Sequence, residues 1–136
     1  MSKNGEKNVV LNRRAGFDYQ LIDSLTVGMA LSGAEVRQIR DHHAQLKGAY
    51  VELRRGQLSL NRLTLGSETA RNIPLLATKK QIIGLERAKV DGVAIVPVKI
   101  IASGRYIKLV ISTGKGKKKY DKRATIKSRD IDRGRF

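Results

Sequence analysis

The chain has 136 residues, of which 40% are hydrophobic and none is cysteine. This length predicts one domain with a substantial core, and the lack of cysteine excludes disulfides and thiolate metal sites. The 28 basic and 12 acidic side chains leave a net charge of +16, which favours a polyanionic partner because such a charge repels itself in a compact chain. Nucleic acid fits best; an acidic membrane surface is the alternative, but no long apolar run or basic amphipathic helix is present.

The first residues of the chain are polar. Residues 1–8 are predicted to be a flexible arm, and no secretory signal is visible. The short apolar stretch Val9 to Leu11 precedes the compact cluster Asn12-Arg13-Arg14. This cluster suits RNA, because arginine pairs phosphates bidentately and asparagine can bind a base edge. A solvated surface turn explains the same residues equally well.

A long strand and a capped helix are predicted next. Alternating apolar residues indicate a bent strand over residues 17–31. A helix then runs from Ser32 to about Arg40, because Ser32 as the N-cap and Glu35 three residues later form a capping box. On this reasoning Glu35 is a capping residue.

The rest of the folded part is predicted to contain two hairpins with a helix between them. The patterns fall at residues 49–53 and 57–65 for the first hairpin, 79–90 for the helix, and 93–101 and 106–111 for the second hairpin. Residues 66–72 are expected to be a polar loop. Thr78 is a possible cap of the helix, and Pro97 indicates an edge or a bulge in its strand.

These elements predict a mainly β fold. Five or six short strands joined by hairpins are antiparallel, and a small closed barrel removes their exposed edges. We therefore expect an OB-fold-like antiparallel β-barrel with inserted helices, spanning residues 9–114. Tyr19, Tyr50 and Tyr106 fall in its strands and are expected in the core.

A basic segment follows the last predicted strand. Gly114 and Gly116 are expected to break any regular element there. Residues 115–136 hold ten cations and three aspartates, a net charge of +7. Because few apolar residues accompany them, this tail is predicted to be disordered when free and to order on its partner. Tyr120, within the basic segment, is the preferred candidate for stacking on a base.

The sequence offers little for catalysis. An active site needs convergent titratable groups, but the two histidines are adjacent and paired carboxylates are scarce. Gly114-Lys115-Gly116 lacks the spacing of a phosphate-binding loop. A binding protein is therefore predicted rather than an enzyme, with no cofactor and no metal site.

Four blocks of the sequence resemble the SmpB family, the tmRNA-binding proteins of bacterial trans-translation. The first is Asn12-Arg13-Arg14-Ala15 with Asp18-Tyr19, and the others are residues 33–40, 75–82 and 114–123. The last block is the most specific and is similar to the family segment A-K-G-K-x-x-Y-D-K-R, with Gly114 at the alanine position. The chain departs from the family pattern at Phe17, where histidine is common, and at Thr26, where an acidic residue is common.

The resemblance implies a barrel that binds the tRNA-like domain of tmRNA. It also implies a tail that enters the mRNA channel of a stalled ribosome near the decoding centre. The implied RNA-binding residues are Asn12, Arg13, Arg14, Glu35, Lys115, Lys117, Lys118, Lys119, Tyr120, Asp121, Lys122 and Arg123. The implied ribosome-contacting residues are Ile126, Lys127, Arg129 and Arg133.

One alternative function stays open from the sequence. A general OB-fold RNA-binding or ribosome-associated factor without tmRNA specificity would show the same charge and strand pattern. In either case we expect a cytoplasmic monomer with no membrane association.

Overall fold

A computed structural model describes residues 7–104 and 106–116 of the chain. The strands are β1 (Lys7–Leu11), β2 (Tyr19–Met29), β3 (Ala44–Gln45), β4 (Tyr50–Arg54), β5 (Gln57–Asn61), β6 (Thr64–Leu65), β7 (Glu68–Thr69), β8 (Ile73–Leu76), β9 (Ala94–Ser103) and β10 (Tyr106–Gly116). The helices are α1 (Ala15–Asp18), α2 (Gly33–Arg40) and α3 (Lys79–Val90). Residues 1–6 of the predicted arm and residues 117–136 of the predicted tail lie outside the described residues.

The predicted mainly β, OB-like fold with inserted helices is confirmed. Seven antiparallel strands form one sheet in the order β1-β9-β10-β2-β8-β5-β4, and β3, β6 and β7 form a small second sheet. The large sheet does not close through hydrogen bonds, since β1 and β4 are its two edges. It curls until β4 contacts β9, and apolar side chains fill the enclosed space. The fully buried large apolar residues are Ile39, Leu46, Leu60, Leu63, Ile73, Ile100, Leu109 and Ile111.

Both longer helices begin where the sequence predicts. Ser32 caps α2, and Glu35 returns the hydrogen bond to the Ser32 backbone. Thr78 caps α3 in the same way, with Gln81 as its reciprocal partner. These capping boxes satisfy backbone N–H groups that a helix start otherwise leaves without partners.

The strand β8 was missed by the sequence patterns. Its side chains alternate, with Ile73 and Leu75 buried and Pro74 and Leu76 exposed. The strand pairs with both β2 and β5, so it is central although it contains a proline. Four residues with a proline were too short to predict, and β8 forms because its neighbours bury its apolar face. Phe17 and Asp18, expected at the start of the first long strand, belong instead to the short helix α1.

The expectation that Gly114 and Gly116 break the last strand is wrong. The strand β10 runs through both of them to Gly116, with a register irregularity between Ser112 and Gly114. A Cβ at Gly114 would lie 3.1 Å from the Cβ of Tyr19 and 3.2 Å from the carbonyl oxygen of Gln20. Glycine therefore lets β10 approach β2 closely. The strand continues to Gly116, which is two residues beyond the predicted end of the barrel domain at residue 114.

Candidate RNA-binding surface

Asn12 holds the turn that presents Arg13 and Arg14. Its backbone N–H donates to the Val98 carbonyl at 2.9 Å, and its Nδ2 donates to the Pro97 carbonyl at 2.7 Å. Its Oδ1 accepts a 3.2 Å hydrogen bond from the Arg14 backbone N–H. The bonds to Val98 and Pro97 tie the turn to β9. The register between β9 and β10 is irregular at this point, and a bulge here was one of the two features that Pro97 indicated in the sequence. Asn12 thus positions the turn as well as lining the surface.

The two arginines of the turn remain at the surface. Arg13 is exposed, and the Arg14 side chain is 65% exposed although its Nη2 lies 3.2 Å from Asp18 Oδ1. The Arg14 guanidinium also lies 4.7 Å from the centroid of the Phe17 ring. An ion pair this exposed contributes little stability. Its effect is to orient the guanidinium, which stays accessible to a phosphate.

A cleft of about 600 Å³ opens beside the turn. Its lining includes the basic residues Arg14 and Lys47 and the aromatic residues Tyr19 and Tyr50. The expectation that the three strand tyrosines lie in the core is wrong: Tyr50 is 45% exposed, Tyr106 is 68% exposed, and Tyr19 is half-buried. Successive residues of a strand face opposite sides, and these rings do not belong to the buried face.

The end of β10 meets this same surface. Lys115 pairs with Gln20 and Gly116 pairs with Tyr19, and the Lys115 side chain is exposed. Because Tyr19 also lines the cleft, the structure brings the start of the basic segment to the Asn12 turn. The remaining tail predictions lie outside the described residues: Lys117, Lys118, Lys119, Tyr120, Asp121, Lys122, Arg123, Ile126, Lys127, Arg129 and Arg133.

Glu35 lies in a separate network at the start of α2. Its Oε1 accepts a 2.8 Å hydrogen bond from the Ser32 backbone N–H and a 2.9 Å hydrogen bond from Arg71 Nη2. Arg71 also donates to the Ala30 carbonyl at 2.9 Å. Burial tends to raise the pKa of Glu35, but the bonds from Ser32 and Arg71 outweigh it and lower this pKa. The carboxylate joins α2 to the segment before β8, and this supports a role in holding the fold.

A second exposed patch crosses the outer face of the sheet. Lys108 on β10 pairs with Gly28 on β2, and Gly28 pairs with Leu76 on β8. Leu76, which is 62% exposed, and Tyr106 both line a depression of about 250 Å³. Leu76 and Tyr106 thus form an exposed apolar patch beside the half-buried Lys108. The sequence did not predict this patch, because it needs three strands that are distant in the chain to be neighbours.

The part of the chain that the structure describes contains no group of three or more His, Cys, Asp or Glu residues placed to hold a metal ion. Among the same residues, no helix is long and apolar enough to span a membrane.

The comparisons with known proteins identify the family. The family model described as SmpB protein matches residues 9–135. The chain belongs to the SmpB family. The SsrA-binding protein of Enterococcus hirae is 38% identical over 143 residues, which cover 98% of this chain and 93% of that protein. The SsrA-binding protein of Mycoplasma mycoides subsp. mycoides SC is 35% identical over 139 residues, 94% of each chain.

A solved structure shares the SmpB fold of this chain. It is described as "tmRNA-SmpB: a journey to the center of the bacterial ribosome", and it superposes with a TM-score of 0.66 at 29% identity. The match covers 83% of this chain and 87% of the other. The membership inferred from the four sequence blocks is thereby confirmed.

Proposed function

We propose that this protein binds the tRNA-like domain of tmRNA and delivers it to stalled ribosomes for trans-translation. The observation that carries the proposal is the family match over residues 9–135, which spans both the barrel and the basic segment. The geometry agrees with it, since Lys115 lies at the end of β10 beside the Asn12 turn, paired with Gln20 of β2. Two basic stretches distant in the sequence can therefore contact one RNA.

The proposed function divides the chain into two parts. The barrel and residues 115–123 bind tmRNA, and Ile126, Lys127, Arg129 and Arg133 contact the ribosome at the decoding centre and mRNA channel. Arg13 and Arg14 supply phosphate contacts, and Asn12 holds their turn. Glu35 holds the start of α2, away from that turn. The protein acts in the cytoplasm by binding alone, as a monomer, with no catalytic step of its own.

A gel shift with tmRNA and an unrelated tRNA, at two salt concentrations, tests the proposal. Non-specific phosphate contacts give the same affinity and the same salt slope for both RNAs. Recognition of tmRNA instead gives tighter binding that persists at the higher salt concentration, because contacts to shape and bases release no counterions. Equal affinity and equal slope would establish a general RNA-binding factor and refute the tmRNA assignment.

A further inference from the structure

The cleft beside the Asn12 turn combines aromatic rings with cations. Tyr50 and Tyr19 both line it, and so do the exposed side chains of Arg14 and Lys47. Its apolar wall includes Ile95 and Pro97. A single exposed tyrosine needs no explanation, but two rings in one cleft flanked by two cations form a pattern that core packing does not account for.

We infer that this cleft binds an unpaired nucleobase of tmRNA, with Tyr50 stacking on the base and Arg14 and Lys47 pairing with the flanking phosphates. Sequence-specific RNA recognition targets unpaired bases, which stack on aromatic side chains. The phosphates on either side of such a base need cations close to the ring. The inference rests on the proposed function, because it takes the RNA to be tmRNA.

The cleft also has the size and the polar groups that a base requires. Its volume of about 600 Å³ falls within the range of pockets that hold small ligands. Asn12 uses one amide N–H on the Pro97 carbonyl and accepts one bond from the Arg14 N–H. A side-chain amide carries two donor hydrogens and two lone pairs, so one of each is left for a base edge.

The position of the basic segment favours tmRNA as the occupant. Gly116 pairs with Tyr19 in the wall of the cleft, so the segment that the proposed function assigns to tmRNA starts there. An RNA strand that contacts Lys115 therefore lies beside the cleft. Asp18 also lines the cleft and pairs with Arg14, but Lys47 and the nearby Lys115 leave the surroundings net positive, which complements the phosphates.

Substitutions of Tyr50 test the inference in tmRNA gel shifts with the full chain at two salt concentrations. Tyr50→Ala is expected to weaken binding about 10-fold, equally at both concentrations, because a stacked ring releases no counterion. Tyr50→Leu keeps the apolar volume without the flat ring and should show the same loss, while Tyr50→Phe should restore most of the affinity. Lys47→Gln should instead make the salt slope shallower, by roughly 0.7 for a contact to single-stranded RNA.

Ile83→Ala is the matched control, since Ile83 on α3 is 58% exposed and does not line the cleft. It should bind tmRNA as the unsubstituted chain does. Unchanged affinity in both Tyr50→Ala and Tyr50→Leu would overturn the inference while leaving the proposed function intact. A loss confined to ribosome binding would also overturn it, because the base would then belong to ribosomal RNA. Equal binding of tmRNA and tRNA by the unsubstituted chain would refute the proposed function itself.

Discussion

Glu35 shows how one side chain can serve the fold at a predicted RNA-binding position. The sequence supported two roles, capping and RNA contact, and the resemblance to SmpB did not separate them. The structure places its carboxylate between the Ser32 backbone and Arg71, with 13% of the side chain exposed. A carboxylate so engaged has little surface left for an RNA group.

Replacing Glu35 by glutamine is expected to remove the ion pair and keep the cap, since glutamine also serves in a capping box. The loss should be about 0.5 kcal/mol at pH 7, because the Arg71 partner is half exposed and screened by solvent. The pKa of Glu35 is lowered in the folded chain, so its stabilising effect is complete above its ordinary pKa of 4.5. That effect is lost as the pH falls through the lowered pKa.

Urea unfolding of both chains from pH 7 to pH 3 measures this difference. The two free energies of unfolding should converge at the acid end and differ most at neutral pH. A difference that grows on acidification would reverse the sign and refute the ion-pair account. Affinity for tmRNA should be unaffected at temperatures where both chains are folded, because the expected role is structural.

Gly114 and Gly116 provide a matched pair of substitutions in one strand. Gly114→Ala is expected to destabilise the fold by about 1 kcal/mol, because its Cβ would meet Tyr19 at 3.1 Å and a backbone oxygen at 3.2 Å. The Cβ added by Gly116→Ala would have no atom of the described residues within 4 Å. This substitution should be neutral or slightly stabilising, because alanine lowers the conformational entropy of the unfolded chain. Thermal unfolding of the two variants compares them directly, and equal melting temperatures would contradict the close approach of β10 to β2.

At the scale of elements, capping matters more for α3 than its sequence suggests. Among the described residues of this helix, Leu85 is the only buried one, and Ile82 is partly buried against the core. Thr78 and Gln81 satisfy two backbone N–H groups at its start, at 3.2 Å and 2.9 Å. The cap therefore stabilises the first turn, while Leu85, Ile82 and the 2.9 Å hydrogen bond from Lys89 Nζ to the Leu53 carbonyl hold the helix on the sheet.

Thr78→Ala is expected to cost about 1 kcal/mol of stability, as the loss of an N-cap hydroxyl typically does. Thr78→Ser retains the hydroxyl and should unfold like the unsubstituted chain. The midpoints of chemical denaturation separate the two variants. If Thr78→Ala and Thr78→Ser unfold at the same midpoint, α3 is held by its packing and the cap is not needed.

At the scale of the whole molecule, charge is unevenly distributed along the chain. Of the net charge of +16, residues 115–136 carry +7. The first two of them, Lys115 and Gly116, pair with Gln20 and Tyr19 at the start of β2, beside the cleft. Residues 1–114 carry the remaining +9 over a much longer stretch. Within the tail, residues 115–123 carry +5 and residues 124–136 carry +2, so most of its charge lies in the part proposed to bind tmRNA.

Deleting residues 124–136 should spare tmRNA binding and abolish peptide tagging on stalled ribosomes. The deletion keeps Lys115 to Arg123, so tmRNA gel shifts of the shortened chain should match those of the full chain. A translation assay on a message without a stop codon measures tagging. Normal tagging by the shortened chain would contradict the proposed division of the tail.

Local patterns determined much of this protein from the sequence alone. The capping box of α2, the N-cap Thr78 of α3 and the hairpin β4–β5 follow from residues within a few positions of one another, and the four blocks were sufficient to assign the family. Only the tertiary structure decided that β8 is a central strand, that Tyr50 faces a cleft, and that β10 continues through two glycines. Each of these depends on which distant strand lies alongside: burial of a strand face and close backbone approach are set by neighbours that a local pattern does not contain.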